Sequence, residues 1–297
     1  MDNHPFAIRL SDRGMKILRF PLTRLIIALV FLVAFTGLAL GLSSWIRKDL
    51  LPPHSKLIGS VIQMILVCSF AWMEYVIYCG TVEGRRVQEL DPRKGLRQTG
   101  YGLLLGFGFI SLVMLIMWLT GSYHIKGFNS ISAFWPFLII SVQAGIVEEI
   151  FSRGIIFRIA EDGIGTWRSI LLSAFIFGFL HIWNPNATVF SSVSIALTAG
   201  VILAMLYVIT RKLWVPIGMH IGWNFTLGGI YGAPVSGGEP GGILASTFSG
   251  PDWLTGGAFG PEASVITLSV FILFGIYLIR KSILDKNWVK PMWRNQS

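Results

Sequence analysis

The run from Phe134 to Phe157, FWPFLIISVQAGIVEEIFSRGIIF, decides what kind of protein this is. It is long and apolar enough to cross a bilayer, since about 20 such residues span the ~30 Å hydrocarbon core. Yet it carries Glu148, Glu149 and Arg153. An ionisable side chain at membrane depth costs at least ~2.5–3.5 kcal/mol, so each one calls for a functional explanation. Glu149 and Arg153 are four apart with the acid first, a spacing that sets an ion pair on one helix face. That pairing neutralises one acid and leaves Glu148, about 100° further round the helix, without an intrahelical partner. Ala144, Gly145 and Ser152 share the Glu148 face, where small side chains let a neighbouring helix approach or leave room for a water.

Outward from this run, seven more apolar stretches follow the same pattern, at about 25–46, 57–79, 99–119, 169–183, 189–209, 213–230 and 263–279. The expected fold is therefore all-α: a polytopic membrane protein of about eight transmembrane helices enclosing a polar intramembrane cavity. Composition agrees. Of 297 residues, 53% are hydrophobic and 13% charged, about half the usual charged share, and mean hydropathy is +0.66. The first run exceeds the ~7–15 residues of a signal-peptide core and reads as a retained helix. The chain divides into a basic N-terminal segment (1–24), one transmembrane domain (25–280) with a motif-bearing core at about 134–230, and a tail (281–297). The Gly-, Pro-, Ser- and Thr-rich loop 231–262 reads as irregular, a lid or a docking element.

Lys and Arg set the orientation. Nineteen lie in the segments on the N-terminal side of the spans and four on the other, with Arg153 inside a helix. The positive-inside rule then puts both termini in the cytoplasm. No sorting signal stands out, so a prokaryotic plasma membrane is the expected location. The net charge of +9 fits anionic lipid headgroups. Nucleic acid is not an expected partner, because no basic patch is interleaved with stacking aromatics. Cys68 and Cys79 have no ligand-like spacing and read as packing residues.

Other ionisable groups at membrane depth are few: Glu74 in the second span, read as packing, His181 in the fifth and His220 in the seventh. His4, His54 and His124 fall in polar segments. Phe177-Gly178-Phe179-Leu180-His181 closes the fifth span before the helix-ending Asn184-Pro185. His220 and Asn224, four apart, project from one face of the seventh. Gly178, Gly218 and Gly222 would permit close packing. At ~1.5 Å per residue, Glu148 lies ~14 Å, His220 ~11 Å and His181 ~18 Å from the cytoplasmic ends of their spans, compatible with one layer on the cytoplasmic side of the midplane.

This set can hydrolyse peptide bonds. A glutamate bound to water acts as general base with help from an imidazole, and a histidine and an amide on one face can donate to an oxyanion. The competing chemistry is a metal: Glu148, His181 and His220 resemble a zinc set with an open position. No H-E-x-x-H helix is present, and asparagine is a better hydrogen-bond donor than zinc ligand, so the metal-free reading carries more weight.

Glu148-Glu149-x-x-x-Arg153, Phe177-x-x-x-His181 and His220-x-x-x-Asn224 are similar, in order and in placement on three helices, to the motifs of the CAAX-protease and bacteriocin-processing family. That family includes the type II CAAX prenyl endopeptidases. The resemblance covers roughly residues 134–230. It implies an eight-helix fold with a conical cavity, Glu148 and His181 as water activators, His220 and Asn224 as oxyanion donors, and Glu149 with Arg153 shaping the site. The expected activity is that of an intramembrane endopeptidase acting on a membrane-associated protein or peptide and contacting lipid, with no cofactor expected and zinc the less favoured possibility. Two other classes stay open: a non-catalytic scaffold or bacteriocin-immunity protein, and an ion-coupled transporter, against which the absence of repeats counts.

Overall fold

The computed structural model describes residues 5–52 and 54–292, so His4 and the last five residues of the tail lie outside it. A short helix, α1 (Asp12–Arg19), is capped by Ser11, whose hydroxyl accepts from the Gly14 N–H at 3.3 Å. Seven described helices are long and apolar enough to cross a membrane: α2 (Pro21–Asp49), α3 (Lys56–Thr81), α4 (Pro92–Leu119), α5 (Ile131–Ile164), α6 (Thr166–Trp183), α7 (Val189–Thr210) and, last in the chain, α9 (Val265–Leu284). Between α7 and α9 lies α8 (Trp214–Asn224), prolonged by a π-helical turn over Phe225–Ile230. It is slightly shorter than the others but is embedded among them. The chain is a multi-pass, all-α membrane protein.

Helices start and stop where local chemistry dictates. Thr188 and Ser191 form a reciprocal capping box at the head of α7. Ser264 caps α9 by accepting from the Thr267 N–H. Between α5 and α6 the chain turns at Gly165, whose φ of 79° suits glycine. Helix α5 thus runs to Ile164, beyond the 157 expected from the charges that begin at Arg158, because those charges stay helical and are paired.

That pairing ties together the connections nearest the two termini. Arg24 binds Glu83 (2.5 Å) and Asp162 (2.9 Å), and Arg158 reaches the same Glu83 at 2.8 Å. Arg85 bridges Glu83 and Glu89, both at 2.7 Å. Arg211 binds Glu161 and donates to the Asn287 carbonyl at 2.6 Å. The start of α2, the end of α5 and the segments after α3, α7 and α9 therefore share one face of the molecule.

The opposite face holds more order than its composition promises. Strand β1 (Tyr123–Phe128) pairs antiparallel with β2 (Leu244–Phe248), with an irregularity between Ile125 and Gly127. Loop 231–262, expected to be irregular, is thus partly strand. Its partner lies more than a hundred residues away, and no local signal announces it. Asn129, Asn184 and Asn186 side chains each donate at 3.0 Å to the carbonyls of Gly242, Ser236 and Gly237, pinning this loop over the helix ends.

Within the bundle, lipid tails are as apolar as leucine, so close backbone packing replaces hydrophobic drive. Helices α4 and α8 run parallel and meet through reciprocal glycines. A Cβ on Gly102 or Gly106 would lie 2.2 Å or 2.4 Å from the carbonyls of Val215 and Met219. One on Gly218 or Gly222 would lie 2.2 Å or 2.5 Å from those of Thr99 and Leu103. Gly178 of α6 meets the Ser192 carbonyl of α7 in the same way, at 2.4 Å. Helix α7 is central, with 72% of its apolar window buried, whereas α2, at 11%, is peripheral.

Candidate active site

The three motif-bearing helices meet around Arg153 and Glu149, both fully buried. Arg153 Nη1 donates to Glu149 Oε1 at 2.8 Å, the ion pair that the sequence spacing predicts. Its Nη2 reaches across to the Ala199 and Gly200 carbonyls of α7, at 3.1 and 3.0 Å. These carbonyls sit at the end of a π-helical turn, Ala196–Gly200, where the regular i→i+4 ladder is disturbed. The guanidinium also lies over the Phe177 ring, 4.5 Å from its centroid. One arginine thereby fixes α5, α6 and α7 relative to one another.

The same Glu149 Oε1 accepts from His220 Nδ1 at 2.9 Å. With Nδ1–H committed there, the opposite nitrogen, Nε2, points towards Glu148 Oε2, 3.9 Å away. The Phe177 ring stands edge-on to His220, with centroids 6.0 Å apart. His181 is held differently: its Nδ1 donates to the Phe177 carbonyl at 2.7 Å. A carbonyl can only accept, so this contact fixes the tautomer and leaves Nε2 with its lone pair. Glu148, with 37% of its side chain exposed, is not committed to any of these contacts.

Glu148, His181, His220 and Asn224 all line one cavity of about 400 Å³. The six predicted site residues thus sort into two layers: four at the cavity wall, and Glu149 with Arg153 buried behind His220. Two π-helical turns begin directly after the motif residues, Ile150–Phe157 after Glu149 and Phe225–Ile230 after Asn224. Such turns recur at functional sites because they re-aim side chains.

Several cavity residues escape sequence reasoning. Asn184 and Pro185, legible only as helix-ending residues, form part of the wall, as do Ser236, Gly238 and Glu239 of the loop. Ser141 of α5 also lines it, and its buried hydroxyl has no protein partner. Behind His181, Glu262 accepts from Trp223 Nε1 at 2.9 Å and from both the backbone and hydroxyl of Ser236. It ties loop to helix α8. A signal was available: Glu239, Asp252 and Glu262 are the only charges in 231–264.

The structure adds a direction to the depth expected from the sequence. Glu148 stands near the middle of α5, which extends to Ile164, and Asn184, Pro185 and residues 235–239 border the cavity, so it opens towards the face opposite the termini. Among the described residues, no group of three His, Cys, Asp or Glu side chains is placed to hold a metal ion.

A multi-pass helical membrane protein with a carboxylate and two imidazoles at a buried cavity is the class that fold and site define. Residues 130–226 match the family model described as type II CAAX prenyl endopeptidase Rce1-like, so the chain carries a domain of the CAAX-protease family. In general terms, that match supports a CAAX-type intramembrane protease. No curated protein and no solved structure matches the chain.

Proposed function

We propose that this chain is an intramembrane endopeptidase that cuts a membrane-associated protein or peptide by a metal-free glutamate mechanism. The observation that carries the reading is the convergence of Glu148, His181, His220 and Asn224, from α5, α6 and α8, on one cavity. Water binds between Glu148 and the Nε2 lone pair of His181. Glu148 removes a proton as the water oxygen attacks the scissile carbonyl carbon, a step for which a positioned base contributes typically ~10²–10⁴-fold. A C–O bond forms and the carbonyl electron pair moves onto oxygen. Asn224 donates its amide N–H to this oxyanion, and so does His220, when it carries a proton on Nε2 as well as the one shared with Glu149. Collapse breaks the C–N bond, and the proton held by Glu148 passes to the leaving nitrogen. Glu149 and Arg153 act through His220, as positioning residues.

Little packing between the α5 stretch Phe134–Glu149 and the α6 stretch Thr166–Leu180 supports lateral entry. The cavity lies between them, lined by Phe137, Ile140 and Ala144 on one side and His181 on the other. We place the protein in a prokaryotic plasma membrane with both termini cytoplasmic, on the distribution of Lys and Arg. The test is a comparison of cell-wide peptide termini between cells expressing the wild-type chain and cells expressing Glu148→Gln at equal level. Termini present only with the wild type support the protease and supply its substrate. Identical termini, with any phenotype retained by the variant, overturn it in favour of a scaffold or immunity protein.

A further inference from the structure

We infer that the cavity takes its substrate from the extracytoplasmic side of the membrane, so that the substrate is an already translocated, membrane-anchored polypeptide. This rests on the proteolytic reading and adds the side of access and the substrate class.

Four observations carry it. First, the ion pairs joining Arg24, Glu83, Arg158 and Asp162, and the Arg211 contacts with Glu161 and Asn287, define the terminal face physically rather than by counting spans. Second, nothing from that face lines the cavity. Its wall is closed instead by Asn184 and Pro185 after α6 and by Val235, Ser236, Gly238 and Glu239 after α8, all on the opposite face. Third, the two faces differ sharply in charge. The connections around the mouth, 120–133, 184–188 and 231–264, hold Lys126 as their single Lys or Arg. Among the described residues the terminal face holds eighteen, the bias of a cytoplasmic surface, against four on the opposite face as a whole, three of them (Arg47, Lys48 and Lys56) around the α2–α3 connection. Fourth, the connections on this face carry exposed apolar side chains, Trp183 (84% exposed), Phe128 (79%), Ile131, Val189 and Phe190, of the kind that sit at a membrane–water boundary.

The experiment has two arms on the full-length chain in cells. Single cysteines replace Glu239 and Trp253 near the mouth, and Lys94 on the terminal face, and intact spheroplasts are treated with a membrane-impermeant charged maleimide before or after lysis. The unsubstituted chain supplies the background from Cys68 and Cys79. The expected result is equal labelling of E239C and W253C before and after lysis, with K94C labelled only after lysis. The reverse pattern overturns the inference. In the second arm, Glu148-dependent cleavage sites are mapped onto the topology of their substrates. Sites in exported segments support the inference, and sites confined to cytosolic C-termini overturn it while leaving the protease intact. Outward-facing cysteines with no Glu148-dependent cleavage overturn the proteolytic reading and the substrate class, while the orientation stands.

Discussion

Glu149 does two things with one oxygen: it neutralises Arg153 and it orients His220. Breaking a fully buried ion pair by removing one partner strands a charge, at about 3–5 kcal/mol. We therefore expect Glu149→Ala or Arg153→Ala alone to lower the melting temperature of the purified protein in detergent markedly. A double variant, Glu149→Leu with Arg153→Met, should recover much of that stability. It should not recover activity, because His220 has still lost the acceptor for Nδ1–H. Stability and activity measured on the same preparations separate the two roles, and full activity in the double variant would show that Glu149 does not position His220. Glu148 is uncommitted to packing, so Glu148→Gln should leave the stability within about 0.5 kcal/mol of the wild type. The same substitution should reduce peptide cleavage by at least about 10²-fold, as expected for loss of a general base. A metal chelator should leave cleavage by the wild type unchanged, and chelator loss restored by added zinc would sink the metal-free mechanism.

At the scale of elements, the parallel contact of α4 with α8 sets where His220 and Asn224 stand. Gly178, Gly218 and Gly222 are recognisable in the sequence as points of close approach, because they flank the histidines in apolar runs. Their partners are not, since Gly102 and Gly106 sit in an ordinary apolar helix until α8 is laid against them. Replacing Gly222 with leucine forces side-chain atoms into the Leu103 backbone. Overpacking of this kind costs typically about 1–3 kcal/mol and here would also displace His220. We expect poor recovery of folded protein and loss of cleavage. Gly108→Ala, on the same α4 but with open space at its Cβ, should behave as wild type. The π-helical turns after Glu149 and Asn224 are equally illegible in sequence, because they arise from lateral packing and not from propensity.

For the whole molecule, stability at the terminal face depends on pH through Glu83 and Glu89. Burial alone would raise both carboxyls. The guanidiniums outweigh it, Arg158, Arg24 and Arg85 around Glu83 and chiefly Arg85 at Glu89, and hold both below the usual carboxylate range. A carboxyl depressed in the folded state contributes stability that is fully present above its unfolded value and is lost as pH falls through the folded one. The melting temperature should therefore hold from neutrality down to the ordinary carboxylate range and fall below it. Glu83→Gln should start lower at neutral pH and show a shallower fall. An identical slope in wild type and variant would mean that this network does not tie the connections together.

By itself the sequence determined the class of the fold and the identity of four cavity residues; it gave eight spans where seven described helices are long and apolar enough to cross. Long apolar runs can satisfy their backbone in lipid only as helices, and ionisable residues survive there only where they are used. Spacing within a single helix, as in Glu149 to Arg153 and His220 to Asn224, is a local property and was legible for that reason. Only the tertiary structure decided which acid His220 leans on, that Arg153 locks three helices, that loop 231–262 pairs with residues 123–128 and walls the cavity, and towards which face the cavity opens. Each of these is a contact between segments far apart in the chain, and side-chain periodicity along one segment carries no information about what another brings to meet it.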